Sequence, residues 1–196
     1  MPAKPLVKIL KSSSFLEKVS RHFAKPRWEL IRSHLVGRKV LEFGLGMGTL
    51  AKFAQEAGFH VTGVDVDNSS LHASVQPVIY DGKHLPFADN SFDSATVVCV
   101  LHHIKNNLHS LREIMRVSKR AIVIEDTFRN EVEYHLVSFR DSLENLEFQE
   151  HYYRKYQDWH ETCVKEGWQV SHIKSWSSLD YGLLYGRQSC FIIDQI

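Results

Sequence analysis

Apolar positions along the chain change period near residue 39. Before it, Leu6, Val7, Ile9, Leu10, Phe15, Leu16, Val19 and Phe23 recur at loosely helical spacing, interrupted by Ser12-Ser13-Ser14, and a second helical stretch runs from Trp28 to Leu35. These predict an N-terminal helical extension over residues 1–38. After it, short apolar runs alternate with helical segments, as in βαβ units built on a mostly parallel sheet. The expected order is a strand over Lys39 to Phe43, a glycine turn Gly44 to Gly48, a helix Thr49 to Ala57 closed by Gly58, and a strand Phe59 to Asp65. A weaker third strand spans Val75 to Tyr80, where Pro77 suits an edge. The fourth, Phe92 to Leu101, is apolar on both faces, as a central parallel strand must be. A helix Asn106 to Val117, a strand Ala121 to Glu125, helices Val132 to Leu143 and Tyr156 to Glu166, and strands Val170 to Trp176 and Cys190 to Ile193 complete the chain. The fold class is α/β, a Rossmann-like three-layer αβα sandwich on a mostly parallel seven-stranded sheet whose C-terminal strand is antiparallel.

Composition adds bounds. With 196 residues, 43% hydrophobic and 24% charged, the chain suits one globular domain with one core. No apolar run reaches membrane-spanning length and the first residues lack a secretory h-region, so the default compartment is the cytosol. Cys99, Cys163 and Cys190 fit neither a disulfide framework nor a zinc pattern and read as reduced thiols. The net charge of +1 argues against a dedicated nucleic-acid coat, yet residues 1–40 carry +8 and the remainder −7. The basic arm reads first as a solvated helix face; it also has the charge to lie on an anionic membrane surface as a peripheral contact.

The candidate chemistry begins at the glycine turn. Gly44, Gly46 and Gly48 alternate between a buried strand and a helix, where a ligand approaches backbone and the chain turns at positive φ. A dinucleotide fingerprint would need a small residue at position 49, where Thr49 stands. Glu42, two residues before the first glycine, repels a pyrophosphate but suits the ammonium and sulfonium of S-adenosylmethionine. Asp65, at the end of the second strand, suits both ribose hydroxyls. Asp67 reads as the cap of a helix over Asn68 to Ala73.

Together with Gly63-Val64-Asp65, Asp81-Gly82, Leu85-Pro86-Phe87, Ser91-Phe92-Asp93, Val100-Leu101-His102-His103-Ile104 and Leu111 to Val117, the turn resembles the class I S-adenosylmethionine-dependent methyltransferase family, in particular its small-molecule, ubiquinone-biosynthesis-type branch. The resemblance covers about Val40 to Glu125. It implies S-adenosylmethionine as cofactor, held by Glu42, Gly44, Leu45, Gly46, Gly48, Asp65, Val66, Asp81, Gly82 and Val100, with Asp81 on the adenine amino group. It further implies a donor-binding half over residues 39–126 and an acceptor-side half over 127–196 within a single domain. One departure is Ser118-Lys119-Arg120 where the family carries a glycine-rich turn.

Methyl transfer from a sulfonium needs alignment and exclusion of water, with a general base only for acidic acceptors. The candidates are His102, His103 and Glu125, with Asp126 beside them, because the ends of the fourth and fifth strands should be neighbours at the carboxyl edge of the sheet. Glu125 reads alternatively as a cap of the following helix. No second acidic pair at suitable spacing accompanies them, so no metal is expected. The leading reading is a small-molecule or lipid-like acceptor, with the N-terminal helices as a lid. Two others stay open: a nucleic-acid methyltransferase, opposed by the absence of Asn-Pro-Pro-Tyr after the fourth strand, and a non-catalytic donor-binding partner protein. The acceptor atom and the oligomeric state are not legible.

Overall fold

The structure, a computed structural model, describes residues 14–145, 150–180 and 184–195. Helix α1 (Ser14–Ile31) precedes β1 (Lys39–Phe43), α2 (Thr49–Glu56), β2 (His60–Asp65), β3 (Val78–Ile79) and β4 (Ser94–Val98). A single 3-10 turn, Leu101–His103, follows, then α3 (Asn107–Val117), β5 (Arg120–Asp126), α4 (Glu131–Asn145), α5 (Tyr156–Lys165), β6 (Gln169–Asp180) and β7 (Leu184–Asp194). The strands form one seven-stranded sheet in the order β3-β2-β1-β4-β5-β7-β6. β1 and β2 run parallel, as do β2 and β3, whereas β7 is antiparallel to β6. The expected α/β architecture is present.

The chain forms two compact units: residues 1–96 with 109–121, and residues 97–108 with 122–196. In the first unit Val40, Leu41 and Phe43 of β1 are buried, because a strand covered on both faces cannot expose apolar side chains on either. Helix α2 buries Thr49, Leu50, Ala51, Phe53 and Ala54 and stops where Gly58, at φ +86°, returns its N–H to the Gln55 carbonyl. Helix α1 is fastened to α2: Ser20 and Thr49 share a 2.6 Å hydroxyl bond, and the Arg21 guanidinium stands 4.7 Å above the Phe53 ring. Helix α3 locks the loop after β3, since Glu113 accepts the Leu85 N–H at 2.9 Å and pairs with Arg116, which donates to the carbonyls of Phe87 and Leu85.

In the second unit Ile122, Val123 and Ile124 of β5 are buried, as are Cys190, Phe191 and Ile193 of β7 and Trp159 and Cys163 of α5. β6 and β7 pair over Gln169 to Asp194, with a register shift between His172 and Lys174.

Several boundaries differ from expectation. The two N-terminal helical stretches are one helix within the described residues, running through Pro26; the apolar positions from Leu6 to Leu10 lie outside them. The third strand is only Val78–Ile79, and the fourth ends at Val98 because Cys99 turns to φ 54°. No helix forms over Asn68 to Ala73, so Asp67 caps none. There the Ser70 hydroxyl donates to the Val75 carbonyl at 2.5 Å, and the Leu71 N–H goes to Met47, replacing helical pairing. The last two strands are much longer than predicted. Among the described residues, no helix is long and apolar enough to cross a membrane.

Candidate functional site

The predicted site residues fall into two groups, one in each unit. In the first unit, β1 delivers Glu42 to a buried position beside the glycine turn. Burial alone pushes its carboxyl up to about 8, so the side chain is mostly protonated at neutral pH. Gly44, Gly46 and Gly48 all adopt positive φ, at 74°, 51° and 73°. A Cβ on Gly46 would meet nothing nearer than the Gly44 carbonyl at 4.0 Å, so this stretch of backbone stands open to a ligand. Leu45 anchors the turn from below. It is buried over Gly63, where a Cβ would lie 2.6 Å from its side chain.

Asp65 holds the turn in place: its Oδ2 accepts the Gly46 N–H at 2.9 Å and its Oδ1 accepts the Val66 N–H at 2.7 Å. Each oxygen keeps a further lone pair for hydroxyl donors. Asp81 uses Oδ1 to accept the N–H groups of Lys83 and His84 at 2.8 and 2.9 Å, and these bonds hold its carboxyl below the usual range. Its Oδ2 is left for an amino donor. Gly82 follows at φ +77°, with the Val66 side chain 3.5 Å from where its Cβ would be. An open glycine backbone, a buried acid, Asp65 at the end of β2 and Asp81 in the loop after β3 fit a nucleoside bearing a cationic amino-acid end. A pyrophosphate would meet acids where it needs donors.

In the second unit the ends of β4 and β5 are neighbours, as expected, with the Cys99 N–H on the Ile124 carbonyl at 2.8 Å. Glu125 caps no helix; the first turn of α4 is capped by Asn130, whose Oδ1 accepts the Glu133 N–H. Instead, Glu125 Oε1 accepts the N–H groups of Val100 and Leu101 at 2.9 and 2.7 Å, and its Oε2 accepts His102 Nδ1–H at 2.7 Å. The proton on Nδ1 turns Nε2 to the opposite side of the ring. There it faces Asp141 Oδ1 at 3.7 Å and Asp126 Oδ2 at 4.0 Å. Burial works against a charged His102, but the carboxylates of Glu125, Asp141 and Asp126 outweigh it and raise the imidazole to about 10.

Asp126 is held by Arg140 and by Gln188, whose Nε2 donates to Oδ1 at 3.0 Å. Asp141 Oδ2 accepts the Tyr153 hydroxyl at 3.0 Å and lies 2.9 Å from His151 Nε2. Half-buried His103 completes the group, its ring centroid 4.2 Å from that of His102 and 4.9 Å from that of His151. Sequence reasoning missed Asp141, His151 and Tyr153, which arrive from α4 and the segment before α5. No local spacing ties them to the histidines.

Residues 41–122 match the family model described as a methyltransferase domain. The demethylmenaquinone methyltransferase of Corynebacterium kroppenstedtii is 38% identical over 87 residues, 42% of this chain and 38% of that protein. The enzyme of the same name from Paenarthrobacter aurescens is 33% identical over 99 residues, 46% of this chain and 39% of that one. The chain therefore spans about two fifths of the length of the curated relatives it matches. Among solved structures, the YcgJ protein of Bacillus subtilis superposes with a TM-score of 0.72 at 16% identity, covering 89% of this chain and 99% of that one. A SAM-dependent methyltransferase of Thermotoga maritima does so with 0.68 at 14%, covering 96% and 99%. At those identities the likeness carries the fold.

Proposed function

We propose, from the match of residues 41–122 to the methyltransferase-domain model, that the chain is an S-adenosylmethionine-dependent methyltransferase acting on a small-molecule acceptor. The observation that carries this reading is the pairing of buried Glu42 with the positive-φ turn Gly44, Gly46 and Gly48, open at Gly46, a cradle for a cationic amino-acid end rather than for phosphates. When bound, the cofactor supplies an electrophilic methyl group on a sulfonium. Glu42 and the turn would hold the methionine end, Asp65 the ribose hydroxyls, and Asp81 the adenine amino group, with Leu45, Val66 and Gly82 shaping the wall.

We assign His102, His103 and Glu125 to the acceptor side and keep Val100 with the cofactor. Glu125 acts there as a positioning residue, since its oxygens take two backbone N–H groups and His102 Nδ1–H and so fix which way His102 faces. The matched relatives are named for demethylmenaquinone, which makes hydroxylated naphthoquinone-type compounds the first acceptors to try.

The test is calorimetric titration with S-adenosylmethionine, S-adenosylhomocysteine and NAD, with Asp65→Ala and Asp81→Ala in parallel. A methyltransferase binds the first two saturably and both variants lose that binding sharply. An acceptor panel follows, read as S-adenosylhomocysteine release. Preference for NAD, or no binding of either sulfur compound, would sink the reading.

A further inference from the structure

We propose that His102, His103 and Asp141 form a site for a divalent first-row transition metal, of the two-histidine, one-carboxylate type, with an open position for an oxygen ligand. Their ligand atoms all lie within 4.8 Å of one another. His102 and Asp141 are buried, and Tyr153 and His151 surround the carboxylate.

The observation that points to a ligand is His102 Nε2, a buried atom with no hydrogen-bond partner on a side chain 1% exposed. Glu125 occupies Nδ1, which leaves Nε2 as the atom directed at Asp141 Oδ1, 3.7 Å away. A positive charge belongs between the two atoms: on the charged ring it is the Nε2 proton, which a metal ion displaces on binding. A shared proton would draw the two atoms to about 2.7–3.2 Å. Metal bonds of about 2.0–2.1 Å place tetrahedral ligand atoms about 3.3 Å apart, close to what is seen. The widest separation in the group then has to close by at most about 1.5 Å, which half-buried His103 can supply by turning its ring.

The surroundings have the organisation of a metal's outer shell. Glu125 grips the far nitrogen of His102, as carboxylates do behind metal-bound imidazoles, and the Tyr153 hydroxyl orients Asp141. Asp126 is committed to Arg140 and Gln188 and is no ligand. Imidazole with a single carboxylate suits zinc, iron or cobalt better than magnesium or calcium, which want oxygen throughout. Three protein ligands leave one position for water, or for the hydroxyl or phenolate oxygen of an acceptor. Only that last assignment rests on the methyltransferase reading.

The experiment strips the full-length protein with a chelator and titrates it with Zn²⁺ alone against a chromophoric competitor, then loads Co²⁺ alone and records its ligand-field spectrum. Wild type should bind one equivalent. His103→Gln and Asp141→Asn should each weaken it by more than about 100-fold and lose the Co²⁺ bands, while Glu125→Gln weakens it by about 10- to 100-fold. Circular dichroism checks folding; should Asp141→Asn unfold, His103→Gln carries the test from a half-buried position. No saturable binding by wild type, or the same affinity in folded His103→Gln, overturns the site. Donor titration on the same stripped protein separates the two readings, since either result can fail while the other stands.

Discussion

Glu42 should release a proton when the cofactor binds. With its carboxyl pushed up to about 8 by burial, about nine in ten copies are protonated at pH 7. An ammonium brought within about 4 Å at an effective dielectric near 20 is worth about 4 kcal/mol, or about three pK units, enough to carry the group below neutrality. Binding therefore expels close to one proton, which the buffer absorbs. Calorimetric titrations with S-adenosylmethionine at pH 7, in phosphate and in Tris, should give enthalpies whose slope against buffer ionisation enthalpy corresponds to about 0.9 proton released. Glu42→Gln keeps the shape and removes only this proton. It leaves the titration of the cofactor's own amino group as background, so the difference between the two slopes is the quantity of interest. S-adenosylhomocysteine, which keeps the ammonium and lacks the sulfonium, should show the same release if the amino-acid end is the partner. Equal slopes for wild type and Glu42→Gln would refute the reasoning.

The same carboxyl makes a second, ligand-free prediction. Because its folded value is raised from 4.5, the stability it allows is complete below pH 4.5 and is lost as pH climbs toward 8, by about 3 kcal/mol at pH 7. Thermal melts of Glu42→Gln should be flatter over that window and higher at its alkaline end. Glu113 behaves oppositely: Arg116 and the Leu85 N–H hold it at about 2, so its contribution is full above 4.5 and fades as pH falls toward 2. Glu113→Ala should cost about 2 kcal/mol in urea unfolding at pH 7, discounted because Arg116 is partly exposed, and little near pH 2. Gly63→Ala drives a methyl into Leu45 and should weaken cofactor binding about tenfold, while a far smaller effect on Kd would mean the turn does not depend on that packing.

The glycine turn and the acids around it were readable in the sequence because their signals are local. Three glycines alternate across one turn, Glu42 precedes them by two positions, Asp65 closes β2, and Asp81 follows β3 by two residues. Thr49, informative at first only as a mismatch to a dinucleotide pattern, proves to be a buried hydroxyl shared with Ser20 and His72. What the sequence hid depends on distance along the chain. Asp141 and His151 approach His102 from 39 and 49 residues away, and no periodicity marks residues brought together that way. Asn68 to Ala73 looked helical, yet Ser70 and Asn68 satisfy the backbone locally, Ser70 through its bond to the Val75 carbonyl and Asn68 by accepting the Ser70 N–H. The length of β6 and β7 was hidden because their polar positions, Ser175, Ser177 and Ser189 among them, bond across the pair instead of alternating with apolar ones.

The division of the chain also sets the order in which it can be completed. Residues 97–108 belong with 122–196, whereas 109–121 return to the earlier unit. A ribosome releasing this chain from its N-terminus can finish the glycine-turn unit once Ala121 has emerged, with Glu113 then in place to lock Leu85. His102 and His103 are by then already synthesised, but they wait another 20 residues for Asp141 and 30 for His151. The histidine cluster is thus the later of the two groups to close. A chain arrested or clipped after Ala121 would hold the whole glycine-turn unit and leave His102 and His103 without Glu125, Asp141 and His151.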